Sequence, residues 1–150
     1  MIDLDLHQYS DRLQIKKTGG KTMIFDMIRK KYLVFQPEEM VRQLLIIYLI
    51  EIGYPKEKIQ VEKGLNVLGQ YRRFDIVVYD PSYEPYLLVE CKSHKVVINQ
   101  ETFDQIANYN LILRAPYLLV SNGIQNYCSQ LDFDRKHIKE LTAIPEYLRD

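Results

Sequence analysis

The chain has 150 residues, 47% hydrophobic and 27% charged, which is enough for one folded unit with a real core and excludes a disordered chain. Lysine plus arginine equals aspartate plus glutamate at 20 each. That balance excludes a chain-wide basic field, so any nucleic-acid contact must rest on a local patch or on a partner.

Residues Met1 to Lys21 are polar, with a turn at Gly19-Gly20. Met23 to Asp26 and Leu33 to Phe35 each suit a short strand or an arm. Pro37 opens a helix, with Glu38 and Glu39 at the positive end of its dipole. Met40, Val41, Leu44, Leu45, Tyr48 and Leu49 recur at three- and four-residue steps and give that helix one core face. Gly53 stops it, with Pro55 just beyond. Ile59 to Val67 reads as a strand in which Gly64 weakens the alternation. Arg73 to Tyr79 is rich in β-branched residues and predicts a second strand. The turn DPSYEP, Asp80 to Pro85, leads to a third, Tyr86 to Lys92, running antiparallel to it. Gln100 to Leu113 has helical spacing, with Asn99 as N-cap. Tyr117 to Val120 is a compact apolar strand closed by Ser121-Asn122-Gly123, and a further strand is expected over Gln125 to Leu131. A polar tail, 132–150, follows, with a short helix after Pro145. The order predicts an α/β architecture, a central mixed sheet flanked by helices.

Cys91 and Cys128 have no CxxC spacing and make neither a zinc site nor a disulfide framework. Two packed thiols in a reducing cytosol are expected, hence a cytoplasmic chain. The longest apolar run, Leu44 to Ile50, is too short to cross a bilayer. The acidic start MIDLDLHQYS is wrong for a secretory leader. Twelve tyrosines and no tryptophan hint at surface aromatics.

The stretch YLLVECKSHK, Tyr86 to Lys95, runs four apolar residues into Glu90 and places Lys92 two positions later. Strand side chains alternate, so Glu90 and Lys92 share one side, roughly 6.5 Å apart, and Cys91 points to the other. If the preceding strand pairs here, Asp75 lies across from them. Two neighbouring carboxylates repel, and burial raises their pKa unless a cation is near. Mg²⁺ takes such hard oxygens, and the Cys91 carbonyl offers a third. Lys92 would then hold or activate water, or offset charge on a phosphorane. The bland reading is a solvated strand pair whose ion pairing is worth little. Against it stand the apolar run on both faces before Glu90, the cations Arg72 and Arg73 beside Asp75, and the helix with Gln105 and Tyr109 that follows.

With PEEMVRQ (Pro37 to Gln43), RRFDIVVYD (Arg72 to Asp80), LLVECKSHK (Leu87 to Lys95), QETFDQIANYN (Gln100 to Asn110) and APYLLVSNG (Ala115 to Gly123) in order, the chain resembles the N-terminal nuclease domain of type I restriction enzyme R subunits, within the PD-(D/E)xK superfamily. The resemblance implies a restriction-endonuclease-like core at about 37–123, in a single nuclease-like domain over 1–150 with 1–36 as an N-terminal arm or strands. It implies Mg²⁺-dependent DNA cleavage, with Mn²⁺ a substitute. Asp75 and Glu90 would be metal ligands with the Cys91 carbonyl, Lys92 the catalytic lysine and Glu39 the upstream acid. Gln105 and Tyr109 match a Gln-x-x-x-Tyr element linked to positioning DNA, with Arg72 and Arg73 beside them. Phe74 stands where the superfamily name has Pro. Sequence leaves open whether Glu38 or Glu39 turns inward. DNA is the implied partner; a motor subunit, a specificity subunit or a second copy are the protein partners left open. The alternative is a catalytically idle nuclease-fold module for DNA binding or assembly, and a third reading makes the acids structural.

His7, His94 and His137 are scattered; His94, close behind Lys92, suits either a DNA contact or, more in keeping with its place, an exposed loop. Lys16-Lys17, Arg29-Lys30-Lys31 and Arg72-Arg73 suit either a phosphate-facing rim or solvated turns.

Overall fold

A strand that is apolar on both faces needs cover on both sides, and the fold is arranged around that need. The structure, a computed structural model, describes residues 1–148 and, of Val67, only the backbone. After a 3₁₀ turn at Leu6–Arg12 the chain forms β1 (Ile15–Thr18), β2 (Lys21–Asp26) and β3 (Lys31–Val34). Then come α1 (Pro37–Glu51), β4 (Ile59–Val67), β5 (Gln70–Tyr79), β6 (Pro85–Cys91), α2 (Gln100–Leu113), β7 (Tyr117–Ser121), β8 (Asn126–Asp132) and β9 (His137–Leu141).

The six later strands make one sheet in the order β4-β5-β6-β7-β8-β9. All pairs are antiparallel except β6–β7. That parallel pair requires a crossover, which α2 supplies. Val41, Leu44, Leu45 and Leu49 of α1 pack on Ile76, Val78, Leu87, Val89 and Cys91 on one face. Ile106 of α2 packs with Val77, Leu88, Leu118 and Val120 on the other. The mixed sheet flanked by helices is therefore present as the sequence predicts.

Both helices start where their end signals place them. Pro37 occupies the first turn of α1 with Glu38 and Glu39, and Asn99 accepts the Thr102 N–H at 2.9 Å to cap α2. Cys91 and Cys128 are free and buried. A Cβ at Gly64 would meet the Tyr71 ring, so a side chain there would have to push that exposed ring aside.

The N-terminal stretch takes the strand alternative: β1, β2 and β3 make a separate three-stranded sheet. Two features depart from expectation. The stretch read as a polar tail contributes β9, paired with β8 from Cys128–Leu141 to Asp132–His137. No helix forms over 145–148, since those residues spend their backbone carbonyls on tyrosine hydroxyls: Tyr54 donates to Pro145 at 2.6 Å and Tyr86 to Glu146 at 2.7 Å. The last two residues of the expected tail helix lie outside the described residues. The surface-aromatic reading holds for the exposed Tyr71 and Tyr83, but Tyr54 and Tyr86 are buried and their rings meet Tyr117 and Tyr147.

Candidate functional site

The β5–β6 ladder runs to Ile76–Val89 and stops. Asp75 and Glu90 are the next residues in that register, at the point where the strands part. The Cys91 N–H would otherwise lose its ladder partner, and a buried amide must find one. Asp75 supplies it: its Oδ2 accepts the Cys91 N–H at 2.8 Å. The Asp75 carboxyl lies close enough to the Glu90 carboxyl to bear on it by charge and hydrogen bonding, so the two acids converge.

Burial raises the Glu90 carboxyl well above its ordinary value, and the Asp75 charge and their hydrogen bond push the same way. Lys92 works against this rise. Lys92 follows β6 directly, and its own N–H continues the pairing with β7 by reaching the Ser121 carbonyl at 2.8 Å. Cys91 points to the α1 side. Glu90 and Lys92 open instead into a cleft of about 390 Å³ under α2, lined also by Tyr71, Arg72, Arg73, Phe74, Gln105, Ile106 and Tyr109.

Within that cleft, Gln105 is exposed and donates to the Tyr109 hydroxyl at 3.3 Å. The Arg72 guanidinium lies 4.5 Å from the Tyr109 ring centre and also donates to Gln70 Oε1 at 3.1 Å. Arg73 sits 5.9 Å from the Tyr71 ring. Tyr109 thus does both things open to it: its ring packs against the α2-side core, and its hydroxyl turns to the cleft. His94 is exposed.

From the other side of Asp75 comes Arg42 of α1, a residue that sequence reasoning missed. Its side chain is 4% exposed, and its Nη2 lies 3.3 Å from Asp75 Oδ1, 3.3 Å from Glu39 Oε1 and closer still to Glu62 Oε1. Glu39 is the inward acid and Glu38 is exposed. Burial raises the Glu39 carboxyl, with the Arg42 charge opposing. Burial also opposes the Arg42 charge, but Glu39, Asp75 and Glu62 outweigh it and hold its pKa up. Glu62, likewise missed, sits in β4 opposite the Asp75 position with φ 55°, a strained conformation for a non-glycine residue. The available signal for Arg42 was its place three residues after Glu39 and three before the buried Leu45, on a core stripe.

The Glu39 Oε2, Arg42 Nε and Nη1 and Gln43 Nε2 atoms are buried with no hydrogen-bond partner among the described residues; ordered water or an ion usually answers such atoms. Among the described residues no group of three or more His, Cys, Asp or Glu side chains is arranged to hold a metal. No helix among them is long and apolar enough to cross a membrane.

Fold and site together define an α/β protein with Glu90 and Lys92 in a cleft at the open end of a central strand and Asp75 beside Glu90. The type I restriction enzyme R protein N-terminus family matches residues 37–145, and the chain belongs to that family. Comparison with curated proteins gives no match.

Proposed function

We propose that this chain is a PD-(D/E)xK-type, Mg²⁺-dependent endonuclease-like domain that hydrolyses DNA phosphodiester bonds. The observation that carries the reading is the meeting of the Asp75 and Glu90 carboxyls beside Lys92, at the mouth of a cleft edged by arginines. Membership of the R protein family supports a restriction-related role, with DNA and the other subunits of such an enzyme as partners.

The donor set fits a hard dication. Burial and like charge press Glu90 toward its neutral form, and a divalent cation relieves both effects. Asp75, Glu90 and the Cys91 carbonyl would hold Mg²⁺, which when bound polarises the phosphoryl oxygen and offsets charge on the leaving oxygen. Lys92 Nζ orients the attacking water and stabilises charge on the phosphoryl oxygens. Glu39 acts from α1 through Arg42, fixing the orientation of Asp75. Gln105 and Tyr109 hold the DNA strand along α2, and Arg72 and Arg73 meet its phosphates.

The test is incubation with supercoiled and linear DNA in Mg²⁺ or Mn²⁺, beside Lys92→Ala and Asp75→Ala. The wild type is expected to nick or cut, and each variant to lose about two to four orders of magnitude in rate. Equal behaviour of all three proteins overturns the catalytic reading.

A second reading is a catalytically idle nuclease-fold module for DNA binding or assembly. One observation favours it: Arg42 already neutralises part of the acid cluster, from within bonding distance of Asp75. Calorimetry separates the two, because the active site binds Mg²⁺ in the millimolar range or tighter and the idle one does not.

A further inference from the structure

The family match begins at residue 37, so the three-stranded sheet before it has no role assigned by that match. Its charge is far from that of the whole. Between Ile15 and Val34 lie five lysines and one arginine against a single carboxylate, Asp26, a net of +5 in a chain whose formal net charge is zero. The remaining residues together therefore carry −5. Asp26 is fully buried and taken by Arg29 at 2.8 Å. Lys16, Lys17, Lys21, Lys30 and Lys31 are all exposed, and none forms a salt bridge among the described residues.

The sheet has an inward and an outward face. Ile24 and Asp26 of β2 are buried. The alternate residues Lys21, Met23 and Phe25 are on the other face, joined by Lys16 and Tyr32 through the register Lys16–Met23 and Phe25–Tyr32. Lys16 Nζ lies 3.9 Å from the Tyr32 ring centre, and the Phe25 and Tyr32 rings meet edge to face at 5.1 Å. Lysine interleaved with aromatic rings on an open sheet suits a nucleic-acid backbone.

The sheet is also tethered to the site. Asp26 Oδ1 accepts the N–H groups of Ile28 at 2.9 Å and Arg29 at 3.1 Å, which fixes the β2–β3 turn. Gln43 of α1 accepts the Met27 N–H at 3.3 Å. The Arg29 and Asp26 charges both bear on Glu39. The turn carrying Arg29 and Lys30 is therefore held beside the acid end of α1. Lysines on edge strands also discourage edge-to-edge pairing, but that role does not account for Lys21 on the central strand or Lys30 in the turn.

We propose that the β1–β3 sheet is a DNA-backbone clamp that grips phosphates beside the acid end of α1 and supplies the positive field the rest of the chain lacks. The inference rests on the DNA-directed reading above. Each phosphate that the clamp neutralises releases counterions, so the clamp shows in the salt dependence of affinity.

The experiment measures binding of a fluorescent duplex DNA across a salt series, in Ca²⁺, for the wild type and for Lys16→Gln/Lys21→Gln/Lys30→Gln. Should the threefold variant melt early, the three single variants replace it. The expected result is a variant roughly tenfold or more weaker at low salt, with a log–log slope shallower by about one for each phosphate no longer neutralised. A variant that binds as tightly and as steeply as the wild type overturns the clamp and leaves the nuclease reading standing. A wild type with no salt-dependent DNA binding removes both, and would mark the basic sheet as a seat for an acidic protein surface.

Discussion

A guanidinium with 4% of its side chain exposed must meet acids or leave the core. Arg42 meets three, and it is the point where α1, β4 and β5 are tied together. Removing one partner of a buried ionic group leaves the others unpaired, which costs more than the pair itself contributes. Arg42→Met is therefore expected to destabilise the protein by on the order of 3 kcal/mol at neutral pH, measured by urea unfolding. The loss should be smaller near pH 5, where Glu39, raised by burial, more readily takes up a proton. Asp26 makes the opposite case. Burial alone would raise its carboxyl, but the Arg29 side chain and the N–H groups of Arg29 and Ile28 outweigh burial and lower it from 3.8. A lowered folded value means that the unfolded chain binds the proton first as acid is added. The stability Asp26 contributes is full above about pH 4 and is lost as pH falls through the lower folded value. Asp26→Asn should flatten the fall in urea midpoint below about pH 4, while lowering stability at pH 7. An unchanged acid limb would put the acid sensitivity elsewhere.

At the scale of elements, what each segment needs locally decides how much of it can be read in advance. The helix starts were legible because a proline, a capping asparagine and first-turn acids act within a few residues. The central strand was legible because both of its faces are buried. β1 is exposed at every position and β9 at all but the last, so neither carries the alternation that marks a strand; pairing alone makes them. The site divides the same way. Asp75, Glu90 and Lys92 announce themselves by spacing on two consecutive strands, whereas Arg42 and Glu62 join only because distant segments meet. The α2–β7 connection shows a hidden local device. Asn110 is fully buried and clamps one residue from both sides: its Nδ2 donates to the Ala115 carbonyl at 2.9 Å and its Oδ1 accepts the Ala115 N–H at 3.0 Å. Arg114 between them takes φ 56°, which this clamp helps to hold. Asn110→Ala leaves two buried backbone groups unmet and should cost on the order of 3 kcal/mol in chemical unfolding. Because the same turn sets β7 beside β6, the variant should also speed hydrogen exchange at Lys92, whose N–H rests on Ser121.

Across the whole molecule, the chain closes on itself through tyrosines. The segment after β9 crosses the sheet's far end. There Tyr54 and Tyr86 donate to the Pro145 and Glu146 carbonyls, and the Tyr147 hydroxyl donates to the Tyr79 carbonyl at 2.8 Å. At the start of the chain, the Ile2 N–H bonds the Asn126 carbonyl at 2.8 Å and the terminal amine meets Glu140 at 3.0 Å. Burial with neighbouring tyrosines pushes the Tyr86 hydroxyl up to about 12, so it stays a neutral donor throughout the physiological range. A buried donor stripped of its acceptor carries the full desolvation penalty, whereas removing donor and acceptor together is nearly neutral. Truncation after Leu141 is thus expected to lower stability by several kcal/mol, as two hydroxyls lose their carbonyls and a ring cluster loses Tyr147. Tyr54→Phe with Tyr86→Phe should destabilise the full chain but cost less, or stabilise, in the truncated one. The coupling between the two changes, read from a double-mutant cycle of urea midpoints, should exceed about 1 kcal/mol. Simple additivity would mean that the closing segment lies on the sheet without being bound to it through those hydroxyls.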